Sequence, residues 1–157
     1  MARCLIRVVS DLKHKYRSVA VVEEHSSPSA NLSGFFPKVP VTSDDRYYQK
    51  SFEYWTGGFH IKKRFHGWNK SQHEGKYTEC FVFKNVSEAE RIYGFLCRPK
   101  AEDPNYEMCV LVHYAQKKKW TTDTAEIQRA KDLKSNRDIL NALKDPDLFT
   151  KGKGKSK

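Results

Sequence analysis

The sequence predicts an α+β fold, with β-rich segments through most of the chain and helical spacing confined to its end. Two observations carry this. The apolar runs Arg91 to Cys97 and Met108 to Ala115 flank a polar, proline-broken stretch from Arg98 to Asn105, the pattern of a β-hairpin with a long loop. Beyond Lys119 the period changes, and Ile127, Ala130 and Leu133 recur at helical spacing. If the hairpin strands pair antiparallel, Arg91 at the start of one lies near His113 and the lysines at the end of the other.

Taken in order, Cys4 to Val9 and Tyr16 to Val22 are rich in strand formers, and the polar Ser10 to Lys15 between them allows a hairpin. From Glu23 to Arg46 the composition is that of a linker, and Pro37 and Pro40 argue against a long helix nearby. Tyr47 to Arg64 is dense in aromatic and basic residues, read first as core and second as a stacking surface for bases. Tyr77 to Phe83 reads as a strand and Lys84 to Ser87 as a turn, with a short helix capped at Ser87 as the alternative. Asp123, answered by Glu126, caps a helix, and Ser135 with Asp138 repeats that signal for a second helix carrying Ile139, Leu140 and Leu143 and stopping before Pro146. The domain reading is an N-terminal extension and linker over 1–46, a core domain over 47–149 and a lysine-rich tail over 150–157.

The chain has 157 residues and a formal charge of +10, of which the four lysines between Lys151 and Lys157 supply +4, leaving +6. A basic protein favours a polyanionic partner, because each neutralised phosphate releases condensed counterions. Its 13% aromatic content places stacking surfaces beside that charge. No basic start precedes an apolar stretch of signal-peptide length, and no apolar run reaches the ~20 residues that span a bilayer. The expectation is a cytoplasmic protein with no membrane partner. Cys4, Cys80, Cys97 and Cys109 lack paired spacing and read as reduced core residues, so no metal site is assigned.

Phosphate loops ending in Gly-Lys-Ser/Thr, G-x-S-x-G elbows and H-E-x-x-H helices are missing from the sequence. What is present is a cluster of Arg, His, Lys, Tyr and Glu. Such a cluster can cut RNA without a metal or other cofactor, because the RNA supplies its own 2′-hydroxyl nucleophile. The protein has only to take that proton, stabilise the phosphorane and protonate the leaving oxygen.

The segment Leu111-Val112-His113-Tyr114-Ala115-Gln116-Lys117-Lys118-Lys119-Trp120-Thr121-Thr122-Asp123, followed by Glu126-Ile127 and Ala130, resembles the RelE/HigB superfamily of toxins, in particular its phage-derived HigB-like branch. The family pattern is an apolar strand, His-Gly-Phe, a lysine pair, Thr-Pro and a helix opening near Glu-Ile. Arg91-Ile92-Tyr93 resembles its Tyr-Arg-Val-Tyr strand, and Glu79 stands where its Trp-Glu-Leu-Arg strand has glutamate. The chain departs from it at Ala115, Asp123 and Phe81, where the family has phenylalanine, proline and often arginine. The resemblance covers about Tyr77 to Leu133.

It implies a small twisted antiparallel sheet flanked by helices. It also implies a ribosome-dependent endoribonuclease that cleaves mRNA in the A site and is held inactive by a cognate antitoxin. Carried over, Arg91 binds the scissile phosphate, His113 is the acid or base with Tyr114 beside it, Lys117 and Lys118 position phosphates, and Glu79 is a second base candidate. Lys119 and Trp120 contact RNA backbone and base, and the basic run Lys62, Lys63 and Arg64 adds further RNA-binding groups. Each has a structural alternative: Arg91 pairs with Glu79 or Glu90, His113 is a satisfied sheet-edge histidine, and the lysines form a solvated turn. The alternative function is a catalytically inactive module that binds RNA, the ribosome or a host protein.

Overall fold

The structure, a computed structural model, describes residues 4–10, 17–25, 43–85, 90–99, 105–116 and 124–144. Among these residues the elements run β1 (Cys4–Ser10), β2 (Arg17–His25), α1 (Ser43–Thr56), β3 (Phe65–Gly67), β4 (Cys80–Asn85), β5 (Glu90–Cys97), β6 (Glu107–Gln116), α2 (Thr124–Lys134) and α3 (Arg137–Leu143). The fold is α+β. All six strands join one sheet in the order β1-β2-β6-β5-β4-β3.

The predicted hairpin of β5 and β6 forms, with Arg91 opposite Ala115 and Tyr93 opposite His113. The expectation of a purely antiparallel sheet is corrected at one pair of strands. β2 runs parallel to β6, from Arg17 opposite Glu107 to Val21 opposite Leu111, so the sheet is mixed. The reason lies in side-chain burial. Val19, Ala20, Val21 and Val22 are all fully buried, and a strand that is apolar on both faces needs a sheet interior covered from both sides. β1 pairs antiparallel with β2, so the β-rich front of the chain forms the expected hairpin and is continuous with the main sheet.

Helices cover both faces. On one, Tyr48, Phe52 and Trp55 of α1 pack on Val19, Val21, Phe65, Phe81, Phe83, Ile92 and Leu111. On the other, Ile127, Ala130 and Leu133 of α2 with Ile139 and Leu143 of α3 pack on Ala20, Val22, Val82, Phe95, Met108 and Val110. Burying each large apolar side chain contributes about 1.5–3 kcal/mol before entropy costs. The sequence reading assigned no helix to 43–56, because aromatic residues are weak helix formers and common in strands. Tyr48, Phe52 and Trp55 nonetheless stand four and three residues apart, so a helix puts all three on one face.

The spacing read for α2 is present in its buried stripe of Ile127, Ala130 and Leu133. The expected capping residue Asp123 lies outside the described residues, as do Val86 and Ser87, whereas Lys84 and Asn85, read as the start of a turn, are the last residues of β4 because they continue its pairing with Arg91 and Glu90. α3 starts one residue later than Ser135: Asn136 is its cap, its side chain accepting from the amides of Asp138 and Ile139 at 3.0 and 3.2 Å. Of the apolar residues read into this helix, Ile139 and Leu143 are buried and Leu140 is 40% exposed.

One irregularity sets which way β6 side chains point. Gly94 faces Leu111 while Tyr93 faces His113, so Val112 is an extra residue in β6. This bulge puts Val112 and His113 on the same side of the sheet, against α2, where regular alternation would send His113 towards α1. It also brings the β6 backbone close to β5. A Cβ at Gly94 would lie 2.2 Å from the Val110 carbonyl oxygen and 3.0 Å from the Leu111 Cα, so any side chain there must push the strands apart. Gly94→Ala is therefore expected to destabilise the protein at or above the top of the ~1–3 kcal/mol range typical of overpacking. Urea unfolding of the variant beside wild type measures this.

Candidate nucleic-acid interface

Strand pairing places a row of basic side chains, one histidine and two cations, on the α2 side of the sheet. His66 of β3 is opposite Val82, and Val82 is opposite Tyr93. Lys84 and Arg91, each two residues along from that pair, face one another across β4 and β5. Directly opposed like charges have Cβ atoms about 5 Å apart and destabilise a sheet by a few tenths of a kcal/mol or more. The Arg91 guanidinium donates to the Glu90 carbonyl oxygen at 3.2 Å, and no carboxylate among the described residues pairs with it. His66 is close enough to this charge to feel it. Burial first, and then Lys84, Arg91 and Lys62, hold its pKa below the ordinary 6.5. Its Nδ1 lies 2.9 Å from the Gly67 carbonyl, which can only accept, so Nε2 is the nitrogen that gains a proton.

The structural alternatives for Arg91 do not form. The Glu90 carboxylate accepts from the hydroxyls of Tyr48 and Tyr114 at 3.1 and 3.2 Å, directed towards α1. Glu79 pairs with Lys134 of α2 at 2.9 Å and stands five residues of strand, about 17 Å, from the Lys84–Arg91 pair. It is not assembled with Arg91.

His113 is 3% exposed. Its ring stacks on Tyr93 with centroids 5.2 Å apart, and Nε2 donates to the Glu126 carbonyl at 3.0 Å. Nδ1 is 3.5 Å from Glu126 Oε1, too far and too poorly aimed for a hydrogen bond, and neither atom accepts or donates another one, although the Arg129 guanidinium lies 3.8 Å from the same Oε1. Burial dominates and lowers the His113 pKa, with the Glu126 carbonyl and carboxylate opposing. Both ring nitrogens are thus turned to the first turn of α2, and His113 joins β6 to that helix. Tyr114, the expected companion of His113, points to the opposite face through its bond to Glu90.

Of the expected RNA-binding residues, Lys62 and Lys63 are exposed, whereas Arg64 is turned inward. Its guanidinium lies 4.1 Å from the Tyr47 ring and donates to Tyr47 O and Ser51 Oγ at 3.2 and 2.9 Å, fastening the connection after α1 to that helix. Lys117, Lys118, Lys119 and Trp120 lie outside the described residues.

A cleft of about 660 Å³ opens where the end of α1, the connection into β3 and the sheet edge meet. Trp55, Phe65, Trp68 and Phe81 line it together with Arg17, His60, Lys62 and His66. Arg17 lies over the Trp55 ring at 4.7 Å, donates to Trp55 O at 2.8 Å and pairs with Glu107 at 3.7 Å. Sequence reasoning left His60 and His66 unassigned and gave Lys84 to a turn. The signal for Lys84 was alternation, since it sits two positions beyond Val82, but this shows only once the β4–β5 register is known.

Cys80, Cys97 and Cys109 are free thiols. Burial raises the thiol pKa of Cys80 to about 11 and of Cys97 to about 12, and that of Cys109 well above the ordinary value. Among the described residues no group of three potential metal ligands converges, and no helix is long and apolar enough to cross a membrane.

The buried histidines make stability depend on pH. His113 titrates near 6.5 when unfolded and lower when folded, so between those values the unfolded chain holds more protons. Unfolding free energy should fall as pH drops through that window, with His66 adding to the same trend. The urea midpoint of wild type should be lower at about pH 5.5 than at about pH 7.5, and His113→Gln should narrow the difference.

Comparison with protein-family models, with curated proteins and with solved structures finds no match to this chain.

Proposed function

We propose that this protein binds single-stranded RNA, with Lys62, His66, Lys84 and Arg91 tracking the phosphate backbone across β3, β4 and β5. The observation that carries this reading is the register pair Lys84–Arg91, two cations held opposite each other beside a histidine that feels both. A phosphate arriving there is attracted by both side chains, and the released counterions add to the gain. The net charge of +10 supports a nucleic-acid partner.

Fluorescence anisotropy with a labelled single-stranded RNA tests it. Affinity should fall steeply with salt, and Arg91→Ala should weaken it and reduce the log–log salt slope by about 0.7, the value for one phosphate contact on a single strand. Lys144→Ala, at the far end of α3, should change neither. Salt-independent binding, or an Arg91→Ala protein that binds as wild type does, would overturn the reading.

A second reading, metal-independent cleavage of mRNA in the ribosomal A site by an antitoxin-controlled toxin, is favoured by one placement. Arg91 and His113 lie on the same sheet face, one residue pair apart along β5 and β6. In this reading Arg91 binds the scissile phosphate, and the start of α2 must lift from His113 before the imidazole can exchange a proton with RNA. Primer extension on a defined mRNA translated by purified ribosomes separates the two. Cuts confined to A-site positions and lost in Arg91→Ala establish the nuclease, whereas ribosome or RNA binding without cuts leaves the binding module.

A further inference from the structure

We infer that Phe59 is a platform on which one base of the bound RNA stacks, with Lys62 and Lys63 holding the phosphates beside that base. This rests on the RNA-binding reading and says where the protein meets a base rather than the backbone. Phe59 is 59% exposed, yet it stands on a fixed mount. α1 closes in a Schellman motif. Gly58 takes a φ of +89°, its N–H donates to the Trp55 carbonyl, and the N–H of Phe59 donates to the Tyr54 carbonyl, both at 3.0 Å. The Phe59 ring meets the Tyr54 ring edge-on with centroids 5.9 Å apart, and a Cβ at Gly57 would lie only 3.4 Å from it. These contacts hold the ring while more than half of its surface stays in water.

The residues that follow are held as well. The Ile61 carbonyl accepts from the N–H groups of Arg64 and Phe65 at 2.8 and 3.0 Å, a turn that leaves Lys62 and Lys63 exposed, and Arg64 is anchored to Tyr47 and Ser51. Between Lys50 and Arg64 the one carboxylate is Glu53, against Lys50, Lys62, Lys63 and Arg64. Lys50 lies 5.3 Å from the ring of Tyr54, the residue on which Phe59 rests.

These surroundings choose the occupant. Leu140, the other large apolar side chain exposed among the described residues, is on α3, which packs on the opposite face of the sheet from α1. Phe59 is therefore a single ring and not part of a contiguous apolar patch, which a membrane or protein interface would need. One ring does suffice for one base, and such stacking strengthens single-strand binding whatever the sequence. The lysines call for negative charge on either side of the flat group, as a base within an RNA strand has.

Through Tyr54, Phe59 belongs to the α1 side, whereas the Lys84–Arg91 row is on the α2 side. β3 is the last strand of the sheet, so RNA reaches both by passing around that edge. Lys62 stands at the passage, three residues from Phe59 and close enough to His66 to act on its charge.

Fluorescence anisotropy of the full chain with a labelled single-stranded RNA, and with an abasic ribose-phosphate strand of equal length, tests the inference. Phe59→Ala should weaken RNA binding about tenfold, keep the log–log salt slope because no charge is lost, and bind the abasic strand as wild type does. Phe59→Trp should restore RNA binding, and Phe59→Leu, apolar without a flat face, should not. Lys63→Ala should instead lower the slope by about 0.7. Wild-type affinity in Phe59→Ala or Phe59→Leu, or an equal loss for both strands, would overturn the inference. So would phosphatidylserine vesicles that retain wild type and release Phe59→Ala, since the ring would then belong to a membrane. Circular dichroism of the variants separates lost binding from lost fold. Arg91→Ala in the same assay keeps the two claims apart. Binding that needs Arg91 but not Phe59 overturns the platform alone, binding that needs Phe59 but not Arg91 overturns the cation row alone, and no RNA binding by wild type overturns both.

Discussion

The contact between Gly94 and the Val110 carbonyl is the constraint around which the rest is arranged. Without a Cβ at position 94 the two strands can close over an extra residue in β6, and that extra residue is what turns Val112 and His113 together towards α2. Once His113 is there, its Nε2 can hold the first turn of α2 through the Glu126 carbonyl, and α2 is then placed over Val82, Tyr93 and Phe95. The same flip sends Tyr114 to the other face, where it meets Glu90 and, through that carboxylate, Tyr48 of α1. A single missing methyl group thus decides which helix each polar residue at the end of β6 serves.

The consequence for function is a separation of groups that stand side by side in the chain. His113 and Tyr114 are neighbours in sequence and occupy opposite faces. Glu79 stands just before β4, and Arg91 pairs with the far end of that strand. What the fold brings together is Lys62, His66, Lys84 and Arg91, from three strands and the connection before β3. Their common property is charge, not proton-transfer geometry, and this supports a binding surface more directly than a catalytic centre.

Much of the back half could be read from the residues, because its signals are local. The apolar runs on either side of Arg98–Asn105 specify a hairpin, and Ile127, Ala130 and Leu133 specify a helix face with no knowledge of what they touch. The features that escaped are those set by distant partners. Tyr48, Phe52 and Trp55 have weak helical preference, and they form α1 because the aromatic face of the sheet, Phe65, Phe81 and Phe83, lies opposite. The parallel seating of β2 on β6 depends on both strands being buried on two sides, which neither run declares alone. Lys84 looks like part of a turn until its register with Arg91 is known. The arginine of the Lys62-Lys63-Arg64 run is indistinguishable from its neighbours until Tyr47 and Ser51 are seen to hold it.

The β2–β6 pair also governs the order in which the chain can become a protein. Arg17 is joined to Glu107 across 90 residues, so β2 has no neighbour on that side until almost the whole sheet has been synthesised. At ~5–20 residues per second, a ribosome takes roughly 5–20 s to supply it. For that interval Val19-Ala20-Val21-Val22 has only β1 beside it, a lone hairpin that is marginally stable in water. The nascent chain therefore carries a sticky strand for most of its synthesis, and closure of the sheet waits on its last strand, a long-range step of the kind that slows folding and exposes a chain to aggregation.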